Sequence, residues 1–269
     1  MSSNTRPRPD SSALLAARNL SFSYGDKPVL RGVNLDVHPG EMVAVLGRNG
    51  CGKSTLLRLL AGGLEPRAGA VLLDGKDLTS YSRRAAARLL AVASQELAIP
   101  FALSVRAIVD LGRTPYTRFL VSSGPEDLRA VDEALTATDL QALADQLFMR
   151  ISGGEQQRAA LAMALAQEPR VLLLDEPTVH LDIAHQMSVL ALVKRLCTER
   201  GLAVLAAMHD INLTCLYADR LIVLASGEIL AEGAPHDVVT PEIIARAFGA
   251  RVVVTRHPTL DLPQTALLP

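Results

Sequence analysis

Eight residues, Gly47-Arg48-Asn49-Gly50-Cys51-Gly52-Lys53-Ser54, match the pattern GxxxxGK[ST]. In such a loop the glycines let successive backbone N–H groups turn inward around phosphate oxygens. Lys53 is placed to meet the β- and γ-phosphates and Ser54 to hold Mg²⁺ through its hydroxyl, and the positive end of the helix that follows adds to the anion site. The nucleotide-contacting set read here is Gly47, Asn49, Gly50, Cys51, Gly52, Lys53, Ser54 and Thr55. Farther along, Leu172-Leu173-Leu174 runs into Asp175-Glu176. This spacing puts two carboxylates at the carboxyl edge of a buried strand, where ligands collect. Asp175 fits the Mg²⁺ shell, and Glu176 is the candidate to polarise an attacking water, because phosphoryl transfer mainly needs positioning and charge neutralisation. Between the two motifs, Ser152-Gly153-Gly154 precedes a helix-prone stretch and offers a hydroxyl and free N–H groups to a second anion. The first loop already surrounds the nucleotide, so the second site is best used on the nucleotide of another subunit. The combination predicts an ATPase that works as a pair.

These groups need elements to hold them. Leu20, Phe22 and Tyr24 alternate with Ser21 and Ser23, and Gly25-Asp26 supplies a turn, which predicts a hairpin. Met42 to Leu46 is an apolar run leading into the glycine loop, and Ser54 to Leu60 has helix-forming composition. Val71 to Leu73 followed by Asp74-Gly75 is another strand and turn, so a small antiparallel sheet is expected against the nucleotide core. From Gln95 to about Gln167 the pattern turns helical, with Ser123 and Pro125 marking a helix start. An inserted helical subdomain is expected at about 96–167. Val171 to Leu174, Ala203 to Ala207 and Leu221 to Leu224 are buried-strand candidates separated by helical stretches such as Ala184 to Glu199, the alternation of a parallel sheet.

Composition bounds the setting. The chain has 269 residues, 20% charged and 49% apolar, with a formal net charge of −1. That balance gives no electrostatic case for nucleic acid as a partner. Cys51, Cys197 and Cys215 lack metal-type spacing, and an odd count fits a reducing compartment. Cys51 sits in the phosphate loop at a helix start, where thiol pKa values fall, so a reactive thiol is one expectation and a small tolerated residue the other. His180 and His185 are five apart, a spacing that does not stack two imidazoles on one helix face, and no metal is expected there. Met1 to Ser12 is polar and lacks the apolar run of a secretory signal, so residues 1–12 are expected to be a flexible tail. Apolar runs such as Leu202 to Met208 fall far short of the roughly 20 residues that span a bilayer, so a membrane task requires a partner.

With these motifs in this order, the chain resembles the ATP-binding cassette family over roughly residues 13 to 250. The resemblance implies an α/β P-loop NTPase core with a parallel sheet, an N-terminal antiparallel β subdomain and an inserted helical subdomain. It implies that two cassettes sandwich two ATPs head to tail. Gln95 then matches the loop glutamine that senses Mg²⁺ and water, His209 the switch histidine at the γ-phosphate, and Tyr24 the aromatic that stacks on adenine. Asp182 matches the acidic residue of the loop that crosses the dimer; taken alone it would cap a helix beginning at Ile183. The implied catalytic group is Glu176, His209 and Gln95, and the implied Mg²⁺ set is Ser54, Gln95 and Asp175. The signature ISGGE departs from the family's commonest form, LSGGQ, at Ile151 and Glu155, and the glutamate adds negative charge near a triphosphate.

Two stretches narrow the resemblance. Leu111-Gly112-Arg113-Thr114-Pro115-Tyr116, with Met163 to Pro169, is similar to the ATPases of importers for iron-siderophore complexes, heme and cobalamin, as is Tyr217 to Gly249. By that resemblance Ala98, Ile99, Pro100 and Phe101 lie where a short helix of the permease docks, and the chain is a peripheral subunit on the cytoplasmic face of a bacterial inner membrane. A membrane permease, a second copy and, indirectly, a substrate-binding protein are the implied partners. The cargo expected first is an iron-siderophore, with heme or cobalamin as alternatives; a soluble scaffold cassette is the reading from another class. Residues 251–269, with three prolines, are set apart as a C-terminal tail, which could equally be a docking strand or a regulatory arm.

Overall fold

The structure, a computed structural model, describes residues 13–94, 101–116, 124–179 and 181–268. Strands β1 (Leu15–Tyr24) and β2 (Lys27–Val37) form the hairpin that the alternating residues predict, with Tyr24 opposite Lys27 across the Gly25 turn. β3 (Met42–Leu46) leads through the phosphate loop into α1 (Lys53–Leu60). The chain returns to the hairpin as β4 (Ala68–Leu73) and β5 (Lys76–Asp77), completing an antiparallel sheet of order β2-β1-β4-β5. A short helix α2 (Arg83–Ala87) precedes β6 (Leu90–Ala93). The insertion that follows carries α3 (Val105–Asp110), α4 (Pro125–Ala137) and α5 (Gly153–Ala166).

The second half alternates strand and helix: β7 (Val171–Asp175), α6 (Ile183–Arg200), β8 (Ala203–Ala207), α7 (Ile211–Tyr217) and β9 (Arg220–Ala225). β10 (Glu228–Gly233) turns back antiparallel on β9 and is followed by α8 (Pro235–Val238) and α9 (Pro241–Phe248). The main sheet has the order β10-β9-β3-β8-β7-β6, and β9, β3, β8, β7 and β6 run parallel.

Both faces of this sheet are covered, which is why its strands read as unbroken apolar runs rather than alternating ones. Val43, Val45, Leu173 and Leu205 face α1 and the antiparallel sheet. Met42, Ala44, Leu172 and Leu174 face the other way, into a core shared with α5, α6 and the helical insertion. Successive residues of each strand therefore serve different cores.

Residues 251–268, read from the sequence as a tail, form a hairpin of β11 (Val252–Arg256) and β12 (Pro263–Leu267). Its strand β12 is tied to α7 through the side chain of Asn212. Asn212 of α7 donates from Nδ2 to the Thr265 carbonyl at 3.0 Å, and its Oδ1 accepts the Thr265 N–H at 2.7 Å and hydroxyl at 2.9 Å. The prolines in this stretch lie outside the strands or at a strand's first residue, where a missing N–H is tolerated. Residues 1–12, the other predicted tail, lie outside the described residues.

Candidate functional site

β3, β8 and β7 are neighbours in the sheet, and the site is assembled on their carboxyl ends. After β3 the chain enters the phosphate loop at Gly47. A Cβ there would lie 2.4 Å from the carbonyl oxygen of Leu224 and 2.7 Å from the Cys51 sulfur, so only glycine allows the loop to pass. Gly52, at φ 115°, is the N-cap of α1 and would meet Leu30 at 2.8 Å if it carried a Cβ. The first turn of α1 carries no side-chain cap. Its N–H groups are directed into the loop, the arrangement that favours phosphate. Lys53 is 5% exposed, and its ammonium donates to the carbonyls of Gly47 at 2.8 Å and Arg48 at 3.4 Å. Tyr24 stands at the tip of the first hairpin, 47% exposed, its ring edge-on to Phe22 at 4.9 Å. The same hairpin's Val29 and Leu30 occupy the space that a Cβ on Gly52 would need, so Tyr24 belongs to an element that lies close against the loop.

The end of β7 supplies the carboxylates. Asp175 Oδ1 accepts the Ser54 hydroxyl at 3.1 Å, joining strand and loop across 121 residues of sequence. Burial pushes the Asp175 carboxyl above its ordinary range; the Ser54 bond works against this, and the adjacent Glu176 adds to it. Glu176 has φ 53°, a conformation that costs a non-glycine residue on the order of 1–3 kcal/mol. Contacts to the β8 side hold it there. Its N–H donates to Ala207 at the end of β8 at 3.2 Å, and its Oε1 lies 2.5 Å from Nε2 of His209, two residues beyond β8. The strained turn aims the carboxylate off the strand axis and onto the histidine.

Cys51 differs from the first of its two expectations. Burial pushes its thiol up, outweighing the charge and N–H of Lys53, against the lowering expected at a helix start. Gln95, with Ala98 to Pro100 and His180, lies outside the described residues, and Phe101 at the border is 68% exposed. Ser54 and Asp175 are therefore the two members of the predicted Mg²⁺ set that the structure brings together.

A second surface gathers Ser152, Gly153, Gly154 and Asp182. Ser152 is the N-cap of α5, and Gly153 is exposed beside it. Asp182 is the N-cap of α6, accepting the His185 N–H at 2.9 Å, with both carboxylate oxygens 2.8 Å from His185 Nδ1. The His185 ring packs on Gly154, where an added Cβ would come within 3.0 Å of it. Sequence reasoning considered His185 only as a metal ligand; here it joins the two loops. The available signal was its position three residues after the cap. Exposed Ile183 (75%) and Met187 continue this surface along α6.

Arg113 was also missed as a structural centre. Only 3% exposed, it donates to Asp127 at 2.9 Å, to Glu168 at 2.8 Å and to the Ala166 carbonyl at 2.7 Å, with its guanidinium 3.9 Å from the Tyr116 ring centre. A Cβ on Gly112 would meet the Met163 carbonyl at 2.1 Å. The stretches 111–116 and 163–169 are thus packed on each other.

The family model for ABC transporters matches residues 30–179. The chain belongs to the ABC transporter family. It is 46% identical over 256 residues to the hemin import ATP-binding protein HmuV of Pseudomonas aeruginosa, covering 93% of this chain and 98% of that protein. It is 40% identical over 254 residues to the ferric enterobactin transport ATP-binding protein FepC of Escherichia coli, covering 94% of each. A solved inward-facing ABC transporter, described as of the metal-chelate type, superimposes with a TM-score of 0.84 at 29% identity, over 96% of this cassette and 98% of that chain. No helix among the described residues of the cassette is long and apolar enough to cross a membrane.

Proposed function

We propose that this cassette is the ATP-hydrolysing subunit of an importer for an iron chelate, coupled to a membrane permease and working as a head-to-tail pair. The carrying observation is the convergence at one sheet edge of a phosphate loop, the Ser54–Asp175 pair and the Glu176–His209 pair. Cargo is proposed from the relatives named for ferric enterobactin and hemin transport. The siderophore was the first expectation, and the higher identity to a hemin-import protein favours heme as a second reading.

Ser54 Oγ and Asp175 Oδ1 are hard oxygen donors, the kind Mg²⁺ takes together with waters and phosphate oxygens. With Gln95 as the third member, the ion when bound would neutralise charge on the phosphates. Lys53 turns from the loop carbonyls to the β- and γ-phosphate oxygens, and Tyr24 stacks on adenine. Glu176 orients the attacking water and takes its proton at a carboxylate oxygen, and His209 holds the plane of that carboxylate. Ser152, Gly153 and Gly154 close over the γ-phosphate held by the partner, and Asp182 lines the seam. Closure moves the permease, and loss of the bridging phosphate reopens the pair.

The Glu176→Gln variant tests this. It keeps size and hydrogen bonding but loses the proton acceptor, so ATP binding and ATP-dependent dimerisation persist while phosphate release falls by roughly 10³-fold. Turnover equal to wild type would remove Glu176 from the role of base.

A further inference from the structure

The signature helix α5 is held at its start by the residue that departs from the commonest form of the motif. Glu155 Oε2 accepts both the Ser152 backbone N–H at 2.7 Å and the Ser152 hydroxyl at 2.7 Å, and Ser152 Oγ accepts the Glu155 N–H at 3.3 Å. The two bonds involving N–H groups form a capping box, a role that glutamine fills as well as glutamate. The hydroxyl bond is different in kind. A serine hydroxyl has a single proton to donate, and here it is committed to a carboxylate of its own subunit. The Ser152 bonds, with smaller help from Arg158 and His185, hold that carboxyl below its usual range, so it is anionic at neutral pH.

We propose that Glu155 is a latch on the signature serine, competing with the partner-bound γ-phosphate for the Ser152 hydroxyl and so setting how much ATP closure requires. The inference rests on the paired-cassette reading above. When the hydroxyl turns to phosphate, Glu155 is left with the backbone N–H alone, and its negative charge stands beside a triphosphate of the same sign. Glutamine at this position keeps the capping acceptor, removes the charge and adds an N–H donor. Glu155 is a positioning residue in this account: it acts through Ser152.

The test is ATP-titrated dimerisation, read by light scattering, in the slow Glu176→Gln background with and without Glu155→Gln, and again with Ser152→Ala. The latch predicts that Glu155→Gln lowers the ATP midpoint by about five- to tenfold, and that this effect shrinks when Ser152 is alanine. A midpoint unmoved by Glu155→Gln reduces Glu155 to a helix cap. An undiminished effect in the Ser152→Ala background makes it a bulk charge effect; either result overturns the latch. If Glu176→Gln alone fails to dimerise with ATP, the pair reading itself falls.

Discussion

Glu176 and His209 are the residues on which the proposed chemistry turns, and their geometry comes from two strand ends meeting. The left-handed φ of Glu176 is sustained by Ala207 and His209, both contributed by the β8 side. Removing the histidine frees the carboxylate to find other rotamers while leaving the phosphate loop intact. His209→Ala is therefore predicted to lower single-turnover hydrolysis by roughly 10²-fold while equilibrium binding of a fluorescent ATP analogue stays within a few-fold of wild type. Loss of binding in parallel with hydrolysis would place His209 in the nucleotide pocket rather than behind Glu176. Residue types and order nominate Asp175 and Glu176 at a strand end and Lys53 and Ser54 at a helix start, and the structure brings Ser54 to Asp175. Cys51 shows where such reading stops, because its place at a helix start is legible in sequence and the burial that raises its thiol is not.

At the scale of elements, the strands bordering the site were legible wherever the local pattern and the burial agree. β3 spans the predicted Met42–Leu46, and the β1–β2 hairpin turns at Gly25. The hairpin β11–β12 was not, because its contacts are distant in sequence, as with Asn212, 53 residues before Thr265. Arg113 shows the same limit: its partners Asp127 and Glu168 lie 14 and 55 residues away. Short stretches mark a subfamily without revealing that they grip one another. That grip has a pH signature. Its hydrogen bond to Arg113 holds the Asp127 carboxyl below the ordinary aspartate value. A depressed folded-state pKa contributes stability that is fully present above the unfolded value of about 3.9 and is lost as pH falls through the folded one. Asp127→Asn is thus predicted to cost roughly 1–2 kcal/mol at pH 7, a cost that shrinks as pH falls below the unfolded value and through the folded one. Thermal melts of both proteins across that range check it; a pH-independent difference would mean that charge plays no part in the Arg113 anchor.

Over the whole molecule, two surfaces divide the proposed work. One carries the phosphate loop with Asp175, Glu176 and His209, and the other carries the signature, Asp182 and the exposed side chains of Ile183 and Met187. In the proposed pair, a second copy facing head to tail would join the first surface of one subunit to the second of the other, and the permease would couple that closure to cargo. The most direct measurement is to isolate the tagged cassette from detergent-solubilised membranes, identify what accompanies it, reconstitute the pair in liposomes, and compare ATP hydrolysis with that of the cassette alone. The proposal predicts a polytopic permease that stimulates hydrolysis, and further stimulation when an iron chelate is supplied with its binding protein. A soluble partner with no effect of membrane components on turnover would contradict the importer and leave a soluble cassette ATPase in its place.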